Sequence, residues 1–229
     1  MKKIILFSLF IFGSIAVFSQ TNAQQNNPKY DDGLLHWGFH FGFNTSVLQP
    51  TFSAGFAKND TLLSIEPDHR PGFQFGVVSE VRLNDAFTAR FVPSLNFINR
   101  GMFYNFANPA MNANKQLETI DLSFPVSLKY RGNRVGNYRI YTIAGGSFNI
   151  DMSSEERVRD EIDRLKITRQ NIGIEYGLGF DFYFPYFKLS PEIKVQQLMG
   201  DILVPENHVY SSSLSKLGAR TIFLTFIFQ

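Results

Sequence analysis

Four cationic side chains crowd one short stretch of this sequence: Lys129, Arg131, Arg134 and Arg139. A guanidinium presents a planar fork of donors that matches a carboxylate or a phosphate, so the grouping has the chemistry of an acid-docking patch. Like charges at one connection repel each other, and a carboxylate-bearing partner or a lipid phosphate would offset that repulsion. The plainer reading is a solvated turn. A second set of charges is dispersed: Glu80, Arg82, Arg90, Arg100, Asp121, Glu175, Asp181, Glu192 and Lys194. Each falls on the polar phase of an alternating stretch, as do Lys129 and Arg139.

Other chemistry is thinly represented. His36 and His40 share the polar phase of one stretch, but a metal site needs further donors at suitable geometry, and none is readable. They read as hydrogen-bonding histidines. His69 and His208 fall in or near connections, and Ser211, Ser212 and Ser213 follow His208. That His–Ser combination would suit a lipid-modifying enzyme at a barrel rim, although serine runs are ordinary in loops. No phosphate-binding glycine loop, zinc motif or nucleophile elbow is present. The expectation is a non-enzymatic chain with no cofactor and no metal.

The elements that position these groups are strands. In Leu117–Arg131, Ile120, Leu122, Phe124, Val126, Leu128 and Tyr130 alternate with Asp121, Ser123, Pro125, Ser127, Lys129 and Arg131. Period-two alternation marks a strand with one apolar and one polar face. The run is long enough to cross a bilayer, which takes about 9–11 residues of tilted strand. Seven further stretches behave alike: Leu35–Leu48, Gly72–Leu83, Phe87–Tyr104, Tyr138–Ile150, Ile167–Phe184, Phe187–Met199 and Gly218–Gln229. Asn84-Asp85, Gly132–Gly136 and Pro185-Tyr186 are short turns. Gln49–Arg70, Asn105–Gln116, Asp151–Lys166 and Gly200–Leu217 are longer connections. Ser153 and Glu156 fit a capping box, and Val158, Ile162 and Leu165 recur at helical spacing, so a short helix is expected in the third of these.

Short turns at one end and long loops at the other are the arrangement of an outer-membrane barrel, with both termini on the short-turn, periplasmic side. The fold expected is all-β: an eight-stranded antiparallel up-and-down transmembrane barrel. A soluble barrel would turn its apolar faces inward. Strand length and the use of 25 Phe favour the membrane form. At eight strands the interior is filled by side chains, so the dispersed charges are expected to pair inside.

Met1–Ser19 has the basic start (Lys2, Lys3), apolar run and small-residue end of a signal peptide. Residues 20–34 read as a polar, mobile leader, and residues 35–229 as the barrel. The chain has 22 Lys and Arg against 20 Asp and Glu. Loss of Lys2 and Lys3 with the signal balances these, which argues against a nucleic-acid binder, since that would need a basic face. With no Cys, neither a lipoprotein anchor nor a disulfide is available. Outer-membrane lipid is the expected surrounding.

Three segments carry a resemblance. They are Leu35–Asn44 (LHWGFHFGFN), then Leu122–Gly145 with Lys129, Tyr130, Arg131, Arg134, Asn137, Arg139 and Tyr141, and Glu175–Lys194 (EYGLGFDFYFPYFKLSPEIK). Together they resemble the PorT family of Bacteroidetes outer-membrane barrels. The resemblance implies a part in type IX protein secretion, and in some members gliding, with other secretion-system proteins met through the periplasmic turns. It brings no catalytic residues. The alternatives are a passive structural or adhesive barrel and, behind it, the lipid-modifying enzyme.

Overall fold

The computed structural model describes residues 25–52, 62–106, 113–153, 168–200 and 214–229. Its strands are β1 (Leu35–Phe52), β2 (Leu62–Asp68), β3 (Arg70–Arg82), β4 (Phe87–Phe91), β5 (Ser94–Phe106), β6 (Ala113–Arg131), β7 (Tyr138–Asp151), β8 (Gln170–Tyr183), β9 (Lys188–Met199) and β10 (Leu214–Phe228). All pairings are antiparallel, and β1 closes the ring by pairing with β10 on one side and β3 on the other.

Ten segments make eight staves. The break between β4 and β5 preserves register: Glu80 faces Arg90 and Gln74 faces Asn96 along the same diagonal. Pro93 and Pro125 explain the break. Val77 N–H donates to the Pro93 carbonyl (3.1 Å) and Val92 N–H to the Pro125 carbonyl (3.2 Å), but neither proline has an N–H to return. The β2–β3 break at His69 does shift register, from Asp68 facing Gly101 to Phe73 facing Phe97.

The first long connection is shorter than the sequence suggests. β1 runs on to Phe52 and β2 starts at Leu62, although Pro50 and Pro67 look like breakers. There, among the described residues, β1 pairs with β10 and β2 with β5, an arrangement near a sheet edge in which a missing N–H costs little. The short helix expected over 151–166 falls on residues outside those described, apart from Asp151, which closes β7, and the bend at Met152-Ser153.

The burial pattern is inverted relative to a soluble barrel. Phe39 is 60%, Val126 59% and Leu178 57% exposed, while Glu80 is 3%, Arg90 2% and Lys129 0% exposed. Outward aromatics stack across the strands, Phe73 on Phe97 at 4.4 Å and Phe39 on Phe228 at 5.2 Å. Such cross-strand pairs stabilise neighbouring strands. Residues 83–86, 132–137 and 184–187 form the short turns at one end. In the second, Val135 and Tyr138 exchange both backbone hydrogen bonds around Gly136-Asn137. Gly136 takes a φ of +61°, the conformation that the first central position of a II′ turn requires.

The leader departs most from expectation. Residues 25–34 are not a free tail but fold over the short-turn end, with a single 3₁₀ turn at Tyr30–Asp32. Polar side chains of the barrel hold them there.

Candidate functional site

Asp31 sits at the short-turn mouth of the barrel. Arg139 binds it as a two-pronged fork, Nη1 to Oδ1 at 2.9 Å and Nη2 to Oδ2 at 3.0 Å. Arg131 Nη1 lies 3.5 Å from Oδ1 and Arg134 Nη1 3.7 Å from Oδ2. Tyr183 Oη donates to Oδ1 at 3.4 Å. Burial pushes the Asp31 carboxyl up, but the Arg139 hydrogen bond and the charges of Arg139, Arg131 and Arg134 outweigh it and hold the group below its ordinary value.

The rest of the leader is fastened beside it. Tyr30 stacks on His36 with 4.2 Å between ring centres, and His36 Nε2 donates to the Tyr30 carbonyl at 2.8 Å. Burial raises the Tyr30 hydroxyl to about 12. Asn26 N–H donates to Asn137 Oδ1 at 2.8 Å, and Asn26 Nδ2 to the Tyr183 carbonyl at 3.0 Å. Arg134 donates through Nη2 to the Asn26 carbonyl, and its guanidinium lies 3.7 Å over the Tyr183 ring. Arg82 donates to the Asp31 carbonyl. It therefore belongs to the rim, half-buried, rather than to the interior where its alternation phase had placed it.

Below the mouth the charges pair in layers. Lys129 Nζ contacts Asp181 at 2.9 Å and Glu80 at 3.5 Å, and Lys188 Nζ contacts Glu80 at 3.4 Å. Ser190 Oγ donates to Asp181 at 2.6 Å. Arg90 bridges Glu80, at 2.8 Å through Nε, and Glu192, which also accepts from Tyr141 Oη at 2.9 Å. The Tyr141 ring lies beneath Lys129 Nζ at 3.8 Å and occupies the space where a side chain at Gly179 would stand. Further out, Lys194 meets Glu175 at 2.8 Å, and Arg100 meets Asp121 at 3.6 Å. Beside His40, Glu175 and Glu192 is a cavity of about 10 Å³, room for about one water molecule.

A wall that turns Phe, Leu and Val outward and encloses ion pairs is built for a bilayer. The sequence family described as "Outer membrane protein beta-barrel domain" matches residues 18–203. The chain belongs to that family. Among solved structures, OprG from Pseudomonas aeruginosa is 11% identical, with 86% of this chain and 95% of that one covered and a TM-score of 0.45. Neisserial surface protein A is 11% identical over 84% and 97%, with a TM-score of 0.47. Ail of Yersinia pestis, solved with the heparin analogue sucrose octasulfate, is 12% identical over 84% and 96%, at 0.39. No curated protein matches.

In this outer-membrane barrel the basic group of the sequence divides. Arg131, Arg134 and Arg139 converge on Asp31 with side chains only 8%, 7% and 10% exposed, while Lys129 is enclosed at the next level down. They do not form a solvated patch on the turn. Asp31 itself, Lys188 and Tyr141 were not among the candidate site residues. Lys188 lies on the polar phase of its strand and was legible on that ground. Asp31 precedes the first strand, where alternation gives no signal. Among the described residues, no group of three or more His, Cys, Asp or Glu is placed to hold a metal ion. His36 is taken up by Tyr30, and His40 is buried without a hydrogen-bond partner. His208 and Ser211–Ser213 lie outside the described residues.

Proposed function

We propose that this outer-membrane barrel is a non-enzymatic accessory component of the type IX protein secretion machinery, acting as a docking element through its short-turn, periplasmic end. One observation supports it above the others. The lumen is crossed by ion pairs from β3, β4, β6, β8 and β9, and the leader covers one mouth, so the barrel offers ends rather than a path for cargo. The secretion role itself comes from the resemblance to the PorT family carried by Leu35–Asn44, Leu122–Gly145 and Glu175–Lys194. The test is a deletion strain complemented with the intact chain. Loss and restoration of cargo export is the expected result. Normal export with altered surface adhesion would overturn it in favour of a passive or adhesive barrel, and a changed lipid A mass in favour of a lipid-modifying enzyme. In planar bilayers the purified barrel should show no large, stable open state.

A further inference from the structure

We propose that the periplasmic mouth is an acid-recognition site whose resident occupant is the leader's own Tyr30–Asp32 turn, and that a periplasmic protein partner engages the barrel by seating a carboxylate-bearing segment in its place. This deepens the docking reading above and rests on it for the partner.

The charge count at the mouth carries the argument. Arg131, Arg134 and Arg139 share one carboxylate, Asp31, and among the described residues none of the three has another acidic partner within ion-pair distance. Arg131 Nε and Arg139 Nε are buried with no hydrogen-bond partner. A buried donor left without an acceptor is costly, and buried donors are nearly always satisfied. Two of the three arginines also bond to the barrel itself. Arg131 Nη2 donates to the Asn84 and Asp85 carbonyls at 3.0 and 3.2 Å, and Arg134 Nε to the Gly136 carbonyl at 3.0 Å. Arg131 and Arg134 are thus positioned in part by the barrel's own turns, while the Arg139 fork is seated on Asp31 itself.

The occupant is the kind that can be exchanged. It is one half-buried 3₁₀ turn on a polar strand-entry segment, with no buried residue of its own. Its advantage is being tethered, which gives it a high effective concentration at the site. A partner overcomes that advantage by supplying what Asp31 lacks, a second carboxylate for the unsatisfied guanidinium nitrogens. Asp32 does not do so from within the leader, since it makes no ion pair with any of the three arginines.

Exchange makes opposite predictions for the two sides of one ion pair, which a merely structural contact does not. The probe is a labelled synthetic peptide of residues 25–34, added to the full mature chain folded in detergent. The Asp31→Asn chain should bind the peptide at least tenfold tighter than the unsubstituted chain, because its own leader no longer holds the site. Adding Arg139→Gln should abolish that binding, and a peptide carrying Asn at position 31 should not bind. Should the double variant fail to assemble, the salt dependence of peptide binding to Asp31→Asn alone decides, with a steep loss expected. Equal affinity for both chains, salt-insensitive binding, or capture of inorganic phosphate but not of the peptide would overturn the proposal. In cells, a photo-crosslinker at Asp85 should give more crosslinks to a periplasmic protein in Asp31→Asn and fewer in Arg139→Gln. Opposite signs with normal export leave the acid site standing and remove the secretion role. Matching signs remove the acid site whatever export does.

Discussion

In the middle of the barrel, Arg90, Lys129, Lys188 and Lys194 meet Glu80, Glu175, Asp181 and Glu192, four cations against four carboxylates, and Arg100 pairs with Asp121 further out. At the mouth, three arginines meet Asp31, their one acidic partner among the described residues. The two regions use the same chemistry in the same fold and differ in balance and in enclosure. Side chains in the inner set are at most 11% exposed, while Asp31 is 24% exposed and comes from a segment outside the ring. A balanced, enclosed set can only be disrupted, because removing any member leaves a buried partner uncompensated. An unbalanced set at an opening can be rearranged, because water and a competing acid both have access. The difference teaches that the interior fixes the barrel while the mouth is where another molecule can act.

The largest effect that would break this contrast is expected at Glu80, which faces Arg90, Lys129 and Lys188. Glu80→Gln should destabilise the barrel by about 3–5 kcal/mol, the usual cost of leaving buried charges unpaired. Glu118→Gln, on an exposed position of β6, should change stability by about 0.5 kcal/mol or less. Detergent unfolding measures both, and equal effects would mean that the interior charges are solvated.

One strand sharpens the contrast further. β6 carries Lys129 inward and Val126 outward. Val126→Arg places on the lipid face the kind of charge its neighbour requires inside, and near the bilayer midplane should cost about 2–4 kcal/mol. Heat-modifiable gel mobility reads the outcome, and tolerance equal to that of an interior Ser127→Arg change would reverse the assigned faces.

At the mouth the cost should be smaller and local. Asp31→Asn should lower barrel stability by only about 1 kcal/mol, given a charged hydrogen-bond set that is partly open to solvent. The leader should nevertheless detach. Cleavage by trypsin after the exposed Lys29 should quicken several-fold while the barrel stays folded.

The pH dependence has a definite sign. Asp31 is held below its ordinary value of 3.8 when docked, so its contribution is fully present above that pH and is lost as the pH falls through the docked value. The anisotropy of a dye attached at Gln25 should fall across that acidic window and recover on neutralisation. The smallest effect is that of salt. At about 1 M the screening length is roughly 3 Å, so leader docking should weaken while the unfolding midpoint barely moves.

The wall of the barrel was legible because alternation is a local property. Phe39, Phe41 and Phe43 face one way and His40, Gly42 and Asn44 the other, wherever the strand ends up. Glu80, Arg90, Lys129 and Glu192 announced their inward phase in the same way. Proline misled the boundaries of β1 and β2, since whether a missing N–H matters depends on whether a neighbouring strand wants it, and the described residues pair Pro50 with β10 and Pro67 with β5 on one side. The leader misled more. A polar Asn- and Gln-rich run has no periodicity, and nothing within it says that Asp31 has a receptor.

By itself, then, the sequence determined the strands, their two faces and the inverted placement of charge, because side-chain direction in a strand follows from position alone. Only the tertiary structure decided which charges meet. Asp31 and Arg139 lie 108 residues apart, as do Glu80 and Lys188. Closure of the ring between β1 and β10 brings such groups into one lumen, and the distances across that lumen select partners that no local pattern encodes.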